Sequence, residues 1–133
     1  MYDGFWNPQI DLNTRLSWTT NNTAQVYSIT LNAFGAIRAA MSTAGISGKP
    51  FWVTEIGWES TSSVPGSSIA NLRSFYLNFL HFSLQTPFFY QTSSIPVPPP
   101  NRIFYFTVRD VPAQSETFGL YTSSSTLSPK FTK

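Results

Sequence analysis

Few side chains in this sequence could perform acid, base or nucleophilic chemistry. There is no cysteine, so thiolate nucleophiles, disulfides and cysteine-ligated zinc are excluded. One histidine, His81, lies in an apolar helical pattern, where a helix-surface imidazole is the ordinary interpretation and a Ser-His-Asp triad is not expected. The six carboxylates are Asp3, Asp11, Glu55, Glu59, Asp110 and Glu116.

The composition also bounds the partners and cofactors. No His or carboxylate pair has the spacing of a metal site, and no Gly-rich loop is followed by a suitably placed lysine, so we expect no metal, cofactor or nucleotide. The net charge of +2 is carried by scattered basic residues, which argues against nucleic acid. No apolar run approaches the ~20 residues of a membrane helix. Charged residues make up only 11%, a balance that suits neutral ligands better than ionic ones.

Glu55 differs from the other carboxylates because it ends a segment rich in β-forming residues. Residues 51–55 lie between a proline and a glycine and predict a buried strand. Alternation along this strand places Phe51 and Val53 on the face of Glu55, pointing into a barrel interior. The active sites of α/β barrels form at the carboxyl ends of their strands. Glu55 is therefore the leading candidate for chemistry.

Residues 49–58, with the sequence KPFWVTEIGW, resemble the signature of the seventh strand in clan A glycoside hydrolases. Families 17 and 39 are the most similar. Further along, residues 106–110 (FTVRD), 116–120 (ETFGL) and 128–130 (SPK) resemble the end of the eighth strand and the tail of the same enzymes, in the same order and spacing. The resemblance covers nearly all of the chain, weakly before Gly48 and strongly in these blocks.

The resemblance implies the C-terminal portion, about strands six to eight, of a (β/α)8 TIM barrel that hydrolyses a β-linked, β-glucan-like saccharide with retention. Glu55 would attack the anomeric carbon and form a glycosyl-enzyme, which water then hydrolyses. A second carboxyl group about 5 Å away must act first as acid and then as base. In these families it follows strand four in an Asn-Glu pair, and no such dipeptide occurs here. We expect the acid/base to lie upstream of Met1 and the chain alone to be inactive.

The same resemblance assigns Asp110 and Glu116 to the substrate subsites, although the motif around Glu116 is shifted by one residue. A structural role is an equal alternative for each, in which Arg109 pairs with the carboxylate and braces a loop. In that alternative neither carboxylate would contact a sugar.

Three aromatic residues are candidates for stacking on sugar rings: Trp58, Trp6 and Tyr2. Trp58 follows the nucleophile by three residues and is expected at the rim of the cleft, whereas core packing explains Trp6 and Tyr2 equally well. Trp52 is expected to face away from Glu55 and to pack under a helix. The sequon that begins at Asn21 is compatible with a secreted enzyme, although it also suits a helix cap.

Helices and strands alternate around these residues. Apolar residues recur at helical spacing from about residue 23 to residue 43, with Asn21 or Asn22 as N-cap and Gly45 or Gly48 as stop signals. A buried strand follows in residues 51–55.

A second helix is predicted from Ile69 to about Gln85. The proline-rich residues 86–101 predict a loop without regular structure, and residues 102–108 predict a second buried strand. Strands that are apolar on both faces and alternate with helices indicate a parallel sheet in an α/β fold.

Two strands cannot close a sheet, and a complete barrel needs roughly 250 residues. We therefore expect residues 1–133 to be a single partial catalytic domain without the N-terminal half of the barrel. The alternative is a small half-barrel that binds glycans without cleaving them and covers its edges by self-association or by pairing with the missing half.

Overall fold

The computed structural model describes residues 12–18, 28–61, 63–89, 96–111, 113, 117–123 and 126–132. Its helices and strands, numbered in chain order, are α1 (Leu12–Leu16), α2 (Ile29–Thr43), β1 (Trp52–Ile56), α3 (Ile69–His81), β2 (Phe88–Phe89), β3 (Pro96–Val97) and β4 (Arg102–Tyr105). Within these residues the strands form two separate two-stranded sheets, and no barrel is closed. The described helices include none with the length and apolarity needed to span a membrane.

The larger sheet consists of β1 and β4, which pair in parallel. Helix α3 lies between them in sequence, so β1, α3 and β4 form a βαβ unit. The predicted alternation of helix and strand and the parallel pairing are thereby confirmed for this part of the chain. In such a unit the carboxyl ends of both strands meet at one edge of the sheet.

Helix α2 begins later than predicted. Ser28 is extended, and its Oγ accepts a hydrogen bond from the Leu31 N–H at 3.2 Å, so Ser28 is the N-cap. The predicted caps, Asn21 and Asn22, lie outside the described residues. The predicted stop is confirmed, because Gly45 follows the helix with a φ of 70°, a left-handed conformation that glycine adopts without steric cost.

Helix α3 is shorter than predicted, because it ends at His81 rather than near Gln85. Beyond it, the Ser83 hydroxyl accepts a hydrogen bond from the Gln85 N–H at 3.2 Å, a local turn that competes with continued helix. The expectation that residues 86–101 form only loop was also wrong, since β2 and β3 pair there as an antiparallel ribbon. Pro96 is tolerated in this ribbon because it lies in an edge strand.

The proline-rich segment is fastened to α2 and delivers β4 beside β1. Arg38 donates hydrogen bonds to the carbonyl oxygens of Pro98 at 3.1 Å and Pro99 at 2.6 Å. Asn101 then pairs with Phe51, donating its backbone N–H to the Phe51 carbonyl at 2.7 Å and accepting the Phe51 N–H on its side-chain oxygen at 2.8 Å. These bonds place the beginning of β4 against the beginning of β1.

The two faces of the β1–β4 sheet differ in their surroundings. The face that carries Val53, Ile56, Ile103 and Tyr105 packs against the helices and is here called the covered face. Val53 and Ile56 are buried with Phe34 of α2 and with Leu72 and Phe75 of α3. On β4, the Tyr105 ring meets Tyr76 and Phe79 of α3 at 4.9 and 5.3 Å between ring centres.

The other face carries Trp52, Thr54, Glu55, Arg102 and Phe104, all exposed, and is here called the open face. Trp52 and Phe104 keep 53% and 48% of their surface accessible. Parallel sheets are normally buried on both faces, so an open face with two large aromatic rings is unusual for this kind of pairing.

An irregularity in β1 decides which side chains reach which face. Val53 pairs with Ile103 and Ile56 pairs with Tyr105, so β1 uses three residues where β4 uses two. The extra residue is a β-bulge, which brings Val53 and Ile56 to the same face. Both residues between them, Thr54 and Glu55, are consequently exposed.

Candidate functional site

Glu55 is exposed near the carboxyl end of β1, on the open face. The expectation that it shares a face with Phe51 and Val53 was wrong, because those two side chains are buried under the helices while the bulge turns Glu55 outward. The placement at the carboxyl end of a parallel strand agrees with the prediction. Glu55 therefore stands where reacting groups of α/β folds are found.

Trp52 also differs from its expected position. It was expected under a helix, but it is exposed on the open face, with the guanidinium of Arg102 lying 5.2 Å from the centre of its ring. Cross-strand pairing explains this contact, because Trp52 and Arg102 are directly opposite each other in the parallel register. The open face thus combines an aromatic surface, a cation and a carboxylate.

Trp58 has no exposed surface and belongs to the core. Its indole N–H donates to the carbonyl of Gly66 at 3.1 Å. One ring neighbour is Phe75 at 5.4 Å, and the Arg15 guanidinium lies 5.7 Å from the ring centre. With these contacts the indole presents no flat face to a ligand, which favours packing over the predicted stacking on a sugar.

Asp110 lies five residues beyond the end of β4 and is held by two donors. Its Oδ1 accepts the ammonium of Lys130 at 2.6 Å and the backbone N–H of Gly119 at 2.9 Å. The cation that pairs with Asp110 is therefore Lys130, and not the Arg109 of the structural alternative. Both side chains of the pair are shielded, with 4% of Lys130 and 15% of Asp110 accessible.

The loops that leave the two strands are tied together through Thr117. Its carbonyl accepts the backbone N–H of Ser60 at 3.0 Å and the Ser60 hydroxyl at 2.9 Å. Its hydroxyl accepts the Thr61 N–H at 3.1 Å and donates to the Thr61 carbonyl at 2.7 Å. Four hydrogen bonds thus fix the segment after β1 against the segment after β4.

Two glycines allow the backbones to approach closely at this edge. A Cβ atom on Gly57 would lie 2.0 Å from the carbonyl oxygen of Phe106, and one on Gly119 would lie 2.2 Å from the backbone nitrogen of Asp110. Neither distance is possible for a larger residue without moving main chain. The edge beside Glu55 is therefore rigid and closely packed.

The remaining candidates are not brought to this edge in the described structure. Glu116, Trp6 and Tyr2 lie outside the described residues. His81 ends α3, at the opposite end of the βαβ unit from Glu55, and is exposed. Among the residues that the structure describes, no three His, Cys, Asp or Glu side chains are grouped closely enough to hold a metal ion.

Residue-by-residue reasoning overlooked Ser60, Thr117 and Lys130 as parts of this edge. Lys130 was noticed only within the SPK block, and a hydroxyl or lysine in a polar loop gives no signal by itself. The arrangement provides one exposed carboxylate, Glu55, at the end of β1, and Glu59, four residues further along the chain, is partly buried.

Comparison with protein-family models, with curated proteins and with solved structures finds no match to this chain.

Proposed function

We propose that this chain carries the nucleophile of a retaining glycoside hydrolase acting on a β-linked, β-glucan-like saccharide, with Glu55 as that nucleophile. The observation that carries the proposal is the exposure of Glu55 at the carboxyl end of a parallel strand within a βαβ unit. This is the end of the strand at which α/β barrels place reacting groups. The resemblance of residues 49–58 to the seventh-strand signature supports the same assignment.

In the proposed reaction a carboxylate oxygen of Glu55 attacks the anomeric carbon. The bond from this carbon to the glycosidic oxygen breaks, and the leaving oxygen takes the electron pair and a proton from a general acid. The product of this step is an ester between Glu55 and the sugar. Water, deprotonated by the same acid/base group, then attacks the anomeric carbon and releases the sugar and the Glu55 carboxylate.

The acid/base group is proposed to come from outside these 133 residues. Asp110, a carboxylate after β4, is engaged within the fold, because its Oδ1 accepts hydrogen bonds from the buried ammonium of Lys130 and from the Gly119 N–H. Asp110 and Glu116 stay proposals as sugar-binding residues, together with Trp6, Tyr2 and Trp58, of which Trp58 has the weakest support because it is buried.

The open face of the β1–β4 sheet supports the proposal of a barrel. In a (β/α)8 barrel, helices cover the outside of each strand and the other face points into a packed interior. Trp52 and Phe104 are large apolar residues on the face that would be interior. Further parallel strands would cover these rings and pair with the outer edges of β1 and β4.

A glycoside with an activated leaving group tests the nucleophile without the acid. Dinitrophenolate leaves without being protonated, so a dinitrophenyl glucoside with fluorine beside the anomeric carbon should glycosylate Glu55 and accumulate as the ester. Mass spectrometry of the intact chain and of its peptides would locate the adduct. We expect labelling of the 133-residue chain, no labelling of Glu55→Gln, and unchanged labelling of the matched control Glu59→Gln. An adduct on another residue, or none, would contradict the assignment.

A second candidate function is a half-barrel that binds glycans without cleaving them. The exposed rings of Trp52 and Phe104 favour it, because aromatic surfaces can stack on sugar faces or on a second copy of the chain. In this case purified protein would bind β-glucan oligosaccharides, would sediment as a dimer and would give no adduct on Glu55. A monomer that is labelled at Glu55 would rule this function out.

A further inference from the structure

The ammonium of Lys130 makes three hydrogen bonds at the edge of the sheet that carries Glu55. It donates to Asp110 Oδ1 at 2.6 Å, to Ser60 Oγ at 2.7 Å and to the carbonyl oxygen of Thr117 at 3.0 Å. A lysine ammonium has three N–H donors, so all three are used. Lysine is rarely buried unless its charge is paired, and here only 4% of the side chain is accessible.

The three acceptors come from the two segments that leave the parallel strands. Ser60 lies five residues after Glu55 on the chain that leaves β1, whereas Asp110 and Thr117 lie on the chain that leaves β4. Lys130 itself comes from a third segment, near the C-terminus, whose backbone N–H donates to the Leu120 carbonyl at 3.0 Å. One charge therefore joins three segments at the edge that carries Glu55.

The connection from this charge to Glu55 is short and stiff. The segment from Glu55 to Ser60 contains no loose loop, because the Ile56 carbonyl accepts the Phe106 N–H at 2.8 Å and the Trp58 ring is buried with its N–H bonded to Gly66. A shift of Ser60 is therefore expected to reach the end of β1 along this short segment. A misplacement of about 1 Å at a reacting group can lower a rate by about 100-fold.

We infer that Lys130 is a positioning residue for Glu55, acting through Ser60 and the segment that joins them. The inference rests on the proposed function, since it concerns the orientation of the nucleophile. The competing interpretation is a purely structural ion pair that stabilises the fold and leaves the orientation of Glu55 unchanged. The two differ in what happens when both charges of the pair are removed together.

The test uses the single variant Lys130→Met, the double variant Lys130→Met with Asp110→Asn, and the control Lys49→Met at an exposed lysine. Removing one member of a shielded pair leaves a charge without its partner and destabilises the protein, whereas removing both restores much of that stability. Because the double variant is expected to fold, the test does not depend on the single variant. Each protein is compared by thermal unfolding, by the rate of Glu55 glycosylation and by carbon NMR of the Glu55 carboxyl group.

We expect the double variant to recover most of its stability yet to be glycosylated at least about tenfold more slowly than wild type. Because Asp110 is also a proposed sugar-binding residue, the half-saturating glucoside concentration is compared for Lys130→Met, where it should stay within about twofold of the wild-type value. The Glu55 carboxyl resonance and the amide resonances of residues 57–60 should shift in both Lys130 variants and stay in place in Lys49→Met. A wild-type rate with unchanged resonances in the double variant would overturn the inference.

The proposed function can fail separately. If wild type itself is not glycosylated, that function is wrong, and the NMR comparison alone decides whether Lys130 orients Glu55. Shifted resonances of Glu55 and residues 57–60 would then support the positioning role, and unchanged resonances would exclude it.

Discussion

The covered face and the open face belong to the same two strands but have opposite surroundings. On the covered face, Val53 and Ile56 are buried against two helices, and Tyr105 packs edge to face on Tyr76. On the open face, Trp52 and Phe104 are about half exposed. Burying a large apolar side chain stabilises a fold by about 1.5–3 kcal/mol. The described part of the chain gains this stabilisation on one face only.

The difference indicates how stability and the proposed chemistry would be divided in this domain. The helices, the covered face and the Lys130 network hold the backbone of β1 in place, whereas Glu55 lies on the face that contributes little to folding. A carboxylate on the covered face would be costly to bury and useless for reaction. Three experiments test the comparison.

The largest expected effect is the loss of a core ring. Phe75→Ala removes a fully buried side chain that contacts Trp18 and Trp58. We expect the free energy of unfolding to fall by about 3–5 kcal/mol. Phe104→Ala on the open face should change stability by less than about 0.5 kcal/mol. Urea titrations of both variants measure the difference. Equal losses would break the comparison, because they would mean that the open face is covered in solution.

The second effect concerns the backbone contact where the strands end. Gly57→Ala would place a Cβ 2.0 Å from the Phe106 carbonyl oxygen, so the main chain must move. We expect the free energy of unfolding to fall by about 1–3 kcal/mol. Gly48→Ala is the matched control, because no atom lies within 4 Å of its added methyl group. Thermal unfolding compares the two. If Gly57→Ala is as stable as the Gly48→Ala control, the two backbones at this edge of the sheet are not packed closely, and the comparison is wrong there.

The smallest effect at neutral pH is expected for Tyr105, on the covered face. Burial raises the pKa of its hydroxyl well above the ordinary value, and the nearby Tyr76 raises this pKa further. In the unfolded chain the hydroxyl ionises near pH ~10, so its contribution to stability is complete below that pH and is lost as the pH rises toward the folded-state pKa.

At pH 7 the free energy of unfolding of Tyr105→Phe should therefore lie within about 1 kcal/mol of the wild-type value. Above pH ~10 its stability should fall less steeply, because the ionising group is gone. Chemical denaturation at several alkaline pH values provides the measurement, and ultraviolet absorbance of tyrosinate follows the ionisation directly. Parallel pH profiles of the two proteins would show that the hydroxyl is not shielded by α3.

The sequence predicted the elements better than it predicted their ends. The period of apolar residues identified α2 and α3, because burial of one helix face enforces that period. Runs of β-branched and aromatic residues identified β1 and β4. The N-cap of α2 at Ser28 is formed by one side-chain hydrogen bond, and a turn closed by the Ser83 side chain follows the end of α3 at His81. Periodicity is insensitive to both. The ribbon of β2 and β3 was missed since its prolines argue against strands in general but not against edge strands.

The position of Glu55 along its strand was predicted, but the face on which it lies was not. Glu55 was placed correctly at the carboxyl end of a strand, since Pro50 and Gly57 delimit that strand in the sequence. Its face was wrong, because a bulge depends on pairing with a distant partner, Tyr105, and leaves no local pattern. Lys130 was overlooked for a similar reason, since its acceptor Ser60 is separated from it by 70 residues.

Because of the bulge in β1, the face on which Glu55 lies depends on the number of residues in the strand. Between Val53 and Ile56 the strand contains one residue more than its partner, and that residue lets two consecutive side chains reach solvent. Deleting Thr54 would restore strict alternation and force either Glu55 or the apolar residue after it to change sides. Strand β1 should therefore tolerate substitutions far better than insertions or deletions, and related chains that keep the acidic side chain should also keep the number of residues before it.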